Sequence, residues 1–163
     1  MTILTKINEY LPLNPTSVGD PDIYLGAKLK EVRLKNDVLA WAMSPSKYVQ
    51  QAIKNCATHL EESDGQYQIS KHTDKPFPTD YNADTDTSEP LTPEYASFFM
   101  HLIRVMFWMV EIGCIDIATE VSILSSYLAH PREGHLDAAL HIMGYLKLIH
   151  NSRLILDPTY PPI

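Results

Sequence analysis

A chain of 163 residues, 45% hydrophobic and 20% charged, can bury one core or two small ones and has neither a disordered nor a fibrous composition. The formal net charge of −7 argues at first against a polyanion partner, but the charge is segregated: nine acidic residues and two lysines lie between Glu61 and Glu94, whereas six basic and two acidic residues lie between Lys28 and Lys54.

Met1 to Tyr10 reads as a short helix with Ile3, Leu4 and Ile7 on one side. Pro12, Pro15, Gly19, Asp20 and Pro21 mark a loop. Ile23, Leu25, Ala27 and Leu29 alternate with Tyr24, Gly26, Lys28 and Lys30, which predicts one strand. Lys35, Asn36 and Asp37 supply a turn, and Val38 to Met43 returns as a second strand. Ser44 reads as an N-cap with Pro45 at the first helical position, opening a helix to about Glu62. Its apolar face is Tyr48, Ala52, Ile53, Cys56 and Leu60, with Lys47, Gln50, Gln51 and Lys54 outside.

Asp64 to Pro93 is rich in Asp, Thr and Pro, holds little that could pack, and is expected to be extended or partly disordered. Thr92 and Pro93 start a helix that runs to Ile112 and stops at Gly113. A second helix is expected over Asp116–Ala129, with Ile117, Val121, Leu124 and Leu128 on one face, and a third over Arg132–His150. Arg153 to Leu156 reads as a last strand. The fold class is therefore α+β: a β-hairpin plus helix, a long acidic linker, then an antiparallel three-helix bundle, divided at residues 1–63, 64–93 and 94–163.

No catalytic constellation stands out. There is no Gly-rich phosphate loop, no H-E-x-x-H and no C-x-x-C. His130, His135 and His141 fall on different helix faces or in the turn around Pro131 and read as surface or helix-end histidines rather than metal ligands. Asp116 and Glu120 stand one turn apart at a helix start, where the dipole favours carboxylates without any catalytic role. Cys56 and Cys114 fit no metal or redox spacing and point to a reduced, intracellular protein, cytoplasmic or nuclear. Met1 to Pro12 lacks the apolar core of a signal peptide. Leu102–Ile112, the most apolar run, contains Arg104 and Glu111 and is too short to span a bilayer, so no membrane partner is expected.

The basic hairpin is what remains. Lys28 and Lys30 share a strand face, Arg33 and Lys35 sit near the turn, and Lys47 and Lys54 lie on the exposed side of the next helix. Tyr24 and Trp41 are candidates to stack on a base or sugar. Such a group would bind a phosphate backbone without sequence preference and in a salt-sensitive way. The plain alternative is a solvated hairpin face with its aromatics in the core.

Two blocks of residues carry a family resemblance. D-P-D-I-Y-L-G-A-K-L at Asp20–Leu29 and W-A-M-S-P-S-K-Y-V at Trp41–Val49 resemble the copia-type LTR retrotransposon reverse transcriptase, the RNA-directed DNA polymerase of the Pol polyprotein of that transposable element. So do E-Y-A-S-F-F at Glu94–Phe99, D-I-A-T-E-V-S-I-L-S at Asp116–Ser125, H-P-R-E-G-H-L at His130–Leu136 and Y-L-K at Tyr145–Lys147. The similarity runs in register over about Ile7 to Pro158.

The resemblance implies a primer grip at Tyr24, Leu25 and Gly26, and a thumb opening at Ser44–Lys54 that holds RNA–DNA or DNA duplex weakly and non-specifically. Lys28, Lys30, Arg33, Lys47 and Lys54 would contact the duplex. Palm or ribonuclease H segments of the parent polymerase would be further partners. The palm's Y-x-D-D turn, with its magnesium ions, would precede this segment and the ribonuclease H carboxylates would follow it, so the fragment itself implies no cofactor and no activity alone. Tyr81-Asn82-Ala83-Asp84 does not match that turn. Arg104 stands where the family has a helix glycine, and Cys114 where it has arginine. Arg104 must either extend to solvent or strain the helix packing, and both changes point to a copy no longer under polymerase selection. Two other outcomes stay open: a non-catalytic helical interaction module built on Phe98, Phe99, Phe107, Trp108 and Met109, and a relic with no function.

Overall fold

The alternation over Ile23–Lys30 does not fold as one strand. In the computed structural model, which describes residues 3–12, 19–63, 65–71 and 73–159, it divides into β1 (Ile23–Tyr24) and β2 (Ala27–Arg33). Tyr24 pairs with Ala27, so Leu25 and Gly26 form a two-residue turn, both at positive φ (52° and 91°). This is the type I′ pattern, whose twist matches that of the flanking strands. Glycine inside an apparent strand was the signal for a turn.

β2 then pairs antiparallel with β3 (Leu39–Ser44), from Lys28 opposite Ser44 to Arg33 opposite Leu39. The connection Leu34–Val38 is closed by the Asp37 amide on the Leu34 carbonyl at 3.0 Å, with Asp37 in the left-handed region at φ 67°. Asp and Asn tolerate that conformation better than most residues. The expected last strand exists as β4 (Leu154–Leu156) and pairs with β3, giving a four-stranded antiparallel sheet in the order β1-β2-β3-β4.

Five α-helices accompany the sheet among the described residues: α1 (Ile3–Tyr10), α2 (Ser46–Glu62), α3 (Pro93–Glu111), α4 (Ala118–Ser125) and α5 (Glu133–Leu148). The class is therefore mixed α+β. Met1 and Thr2 of the expected first helix, Pro15 of the expected loop and Asp64 of the linker lie outside the described residues.

Ser44 does not cap α2. It ends β3, its hydroxyl donates to the Ser152 carbonyl at 3.4 Å, and Pro45 takes the cap position. Strand pairing holds Ser44 extended, which keeps its side chain away from the helix amides. Thr92 does cap α3, accepting from the Tyr95 amide, with Pro93 in the first turn. Gly113, at φ 125°, turns the chain out of α3. Arg104 is exposed, so the arginine extends to solvent and leaves the packing unstrained.

The helix expected over Asp116–Ala129 is shorter. Ile115–Ile117 is a 3₁₀ turn and α4 stops at Ser125. There the Ser126 and Tyr127 amides bond three residues back, to the Ile123 and Leu124 carbonyls, and the Ser125 hydroxyl takes the Ser122 carbonyl at 2.7 Å. Such bonds tighten and end a helix.

One apolar core joins Val49, Ile53, Cys56 and Leu60 of α2 to Phe99, Ile103 and Met106 of α3, Val121 and Leu124 of α4, and Leu136, Leu140 and Met143 of α5. The acidic segment between α2 and α3 packs on it, contrary to expectation. Tyr67, Thr73 and Ala83 are buried, and Ile69, Phe77, Tyr81 and Leu91 lie against the core. Tyr67 meets Tyr95 edge-on with ring centres 4.7 Å apart. The Leu91 amide donates to the Pro131 carbonyl and the Glu133 amide to the Glu89 carbonyl, each at 3.0 Å. Six spaced apolar residues are too few to give a periodic signal, yet enough to anchor a meandering chain.

One close backbone contact sets Ser70 against Gly144 of α5, where a Cβ would overlap the Ser70 carbonyl. Gly144→Ala is expected to destabilise the fold by about 1–3 kcal/mol, the usual cost of overpacking, although alanine is the better helix former. Urea denaturation of the two proteins measures the difference.

Candidate nucleic-acid interface

Strand register decides which cations meet. Directly opposed residues of antiparallel strands project to the same face. Lys28 lies opposite Ser44, and Lys30 opposite Ala42, which in turn lies opposite Ile155. Arg153, two residues before Ile155, follows the same alternation. Lys28, Lys30, Lys47 and Arg153 surround a shallow recess of about 270 Å³ whose floor is Ala42, Ser44 and Ser46. All four cations are exposed, and among the described residues none has a carboxylate within 4 Å. Small floor residues between long cationic stems leave room for an anion with uncompensated charge on its rim.

Three of the four were sequence candidates. Arg153 was missed because nothing local marks it. A lone arginine before a three-residue strand acquires its position only from the pairing of β4 with β3.

The other candidates separate. Arg33 is drawn to the far end of the hairpin, where its guanidinium meets Asp37 at 3.3 Å in a pair exposed on both sides. Such a pair adds little stability but occupies the cation. Lys54 lies two turns along α2 from Lys47 and lines a second groove with Lys147 and His150. Tyr24 ends β1 and Leu25 and Gly26 form the turn to β2: Tyr24 and Leu25 are exposed, and a Cβ on Gly26 would stand 3.4 Å from the Tyr48 ring. Tyr24 pairs with Ala27 and Trp41 with Glu31, so both aromatics belong to the sheet face opposite Lys28 and Lys30. Neither can stack on a ligand held in the recess.

The densest polar cluster lies elsewhere, where the acidic segment meets the start of α5. Asp86 accepts from the Tyr81 hydroxyl at 2.9 Å and from the Ser88 amide and hydroxyl at 2.8 and 2.6 Å. The Ser88 hydroxyl oxygen accepts from the Gly134 amide at 2.9 Å, and Tyr127 donates to Asp84. His135 is not a surface residue. It is 2% exposed, its Nδ1 accepts from the Arg132 amide at 3.0 Å, and its Nε2 lies 3.9 Å from Asp86. Of the other two histidines, His130 is exposed and His141 bonds to the Lys75 carbonyl. Among the described residues no group of three or more His, Cys, Asp or Glu side chains could hold a metal ion.

Burial pushes the Asp86 carboxyl up, but the Ser88 and Tyr81 hydrogen bonds more than offset it, so Asp86 titrates below the ordinary carboxylate range. Burial, reinforced by the Asp86 hydrogen bond, raises the Tyr81 hydroxyl. The cluster is a clamp: each group is held by a neighbour, and together they tie residues 81–88 to α5. Burial also raises the thiols, Cys56 to about 12 and Cys114 to about 11, leaving both protonated at neutral pH. Burial, reinforced by the hydrogen bond that the Tyr145 hydroxyl donates to Asp116 at 2.8 Å, raises that hydroxyl to about 12.

No protein-family model, curated protein or solved structure matches the chain. No helix among the described residues is long and apolar enough to cross a membrane.

The clamp has an acid signature. A carboxyl whose folded pKa is lowered contributes stability that is present above its unfolded value and is lost as pH falls through the folded value. Asp86→Asn is therefore expected to cost about 1–3 kcal/mol at neutral pH. The difference from wild type should shrink as pH falls below about 4, the unfolded carboxylate value. Urea midpoints of both proteins from neutral to acid pH test this; a constant difference rules out a charge-dependent clamp.

Proposed function

We propose that the chain is the primer-grip and thumb portion of a copia-type reverse transcriptase, acting inside the cell to hold template–primer duplex without polymerase or ribonuclease H catalytic residues of its own. In this reading residues 1–63 are the end of the palm, the primer-grip hairpin and the first thumb helix. Residues 64–93 are the linker, and 94–163 form a helical thumb and connection segment arranged as an antiparallel three-helix bundle. The in-register sequence blocks support the reading. The observation that carries it is the convergence of Lys28, Lys30 and Lys47, unpaired by any described carboxylate, on one recess. Cations held so, with no base-reading aromatics on the same face, favour backbone contact over sequence recognition.

Titration of labelled RNA–DNA and DNA duplexes with the purified chain is expected to show binding at low salt that weakens at least tenfold between about 50 and 200 mM salt, with no preference for base sequence. Absence of binding even at low salt overturns the reading.

The alternative is a non-catalytic helical interaction module. Phe98, Phe99 and Met109 do not serve it, because all three are buried in the core. Phe107 and Trp108, 40% and 37% exposed on α3, favour it. Light scattering that shows concentration-dependent association unaffected by duplex supports the module. A monomer that binds neither duplex nor itself fits a functionless transposon relic.

A further inference from the structure

The recess at Lys28, Lys30, Lys47 and Arg153 is one end of a longer feature. Lys47, Gln50 and Lys54 are exposed and fall on one stripe of α2, spanning about 10 Å along its axis at 1.5 Å per residue. The end of α5 and the lead into β4 run beside that stripe. His150 Nδ1 hydrogen-bonds to the Ser46 hydroxyl at 2.8 Å, and His150 Nε2 lies 3.3 Å from the Gln50 amide nitrogen. Two distant segments are thereby held side by side. On one flank of His150, Arg153 shares the recess with Lys47. On the other, Lys147 shares a groove of about 560 Å³ with Lys54. Among the described residues none of these four cations has a carboxylate within 4 Å, and Glu61 marks the acidic end of the groove.

Building on the duplex-holding reading, we infer that Lys147 and Arg153 form a second rail parallel to Lys47 and Lys54, and that the two rails together bind the phosphodiester backbone of a nucleic-acid duplex. Phosphates of one strand advance about 3.4 Å along the duplex axis, so a track of about 10 Å faces roughly three of them. Three lysine ammoniums on flexible stems and one arginine fork, which matches phosphate geometry, suit a partner whose phosphates are regularly spaced but whose bases vary. Lys147 also sits in the last turn of α5, where a cation favours the helix dipole without any ligand. Only a binding measurement separates the two roles.

The test follows the salt dependence of duplex binding by fluorescence anisotropy, using the full chain and a labelled RNA–DNA duplex. The double variant Lys147→Gln, Arg153→Gln is compared with Lys71→Gln, Lys75→Gln, which removes the same charge from exposed positions in the acidic segment. Each lost phosphate contact lowers the slope of log affinity against log salt by about 0.9, so the rail variant is expected to lose nearly two units. The control should keep the wild-type slope. The charge-preserving pair Lys147→Arg, Arg153→Lys should also keep it, which separates lost cations from a disturbed fold. Equal slopes for the rail variant and the control overturn the second rail while duplex holding stands. Failure of the wild type to bind at all overturns the duplex reading and the rail with it.

Discussion

Helix α5 is apolar on almost every side, with ten of its sixteen residues buried, including Leu136, Leu140, Ile142, Met143 and Leu146. A helix of that kind has no stable place in water until it is covered all round. α2, α3 and α4 each pack against it, and the segment between α2 and α3 closes a further side, where Ser70 lies on Gly144 and Asp86 and Ser88 reach its first turn. Covering α5 therefore dictates the course of most of the chain. The acidic segment is ordered by the helix it covers rather than by any propensity of its own.

The same constraint builds the basic surface. Because α5 lies against α2, its last turn and the residues just after it deliver Lys147 and His150 to the side of α2 that carries Lys47, Gln50 and Lys54. The chain then has only a few residues in which to reach β3, and β4 leaves Arg153 beside Lys28 and Lys30. Burial on one side of α2 and α5 thus places cations on the other. In the Glu61–Glu94 stretch Asp84 and Asp86 are held by Tyr127, Tyr81 and Ser88, and no described carboxylate of the stretch lies within 4 Å of a recess cation.

The hairpin shows how far alternation can be trusted. β2 and β3 were legible because the alternation that ends at Lys30 and the apolar run from Val38 flank an obvious turn. The β1–β2 turn was not, since Tyr24-Leu25-Gly26-Ala27 keeps the alternation of a strand while Leu25 and Gly26 adopt positive φ. That turn moves Tyr24 to the face opposite the lysines, so a reading in which aromatics and cations act on one ligand fails on register alone. Ser44 and His135 went astray in a similar way. One was claimed by a strand; the other stands at a helix end, as expected, but in the core rather than at the surface.

What the sequence by itself determined was the set of parts: the basic hairpin, the amphipathic α2, the capped α3, the helix after Pro131 and the short last strand. Each is written in contacts between residues a few positions apart, where period, cap and breaker are local facts. The tertiary structure alone decided which parts touch. Pairing of β4 with β3, the packing of an acidic segment on α5, and the meeting of Arg153 with Lys28 and Lys30 all join residues far apart in the chain. Such contacts depend on shape, register and the need to cover apolar surface, none of which leaves a periodic mark on either partner. For the same reason Arg153 entered the candidate site, whereas Arg33 left it through a local contact, with Asp37 four residues on.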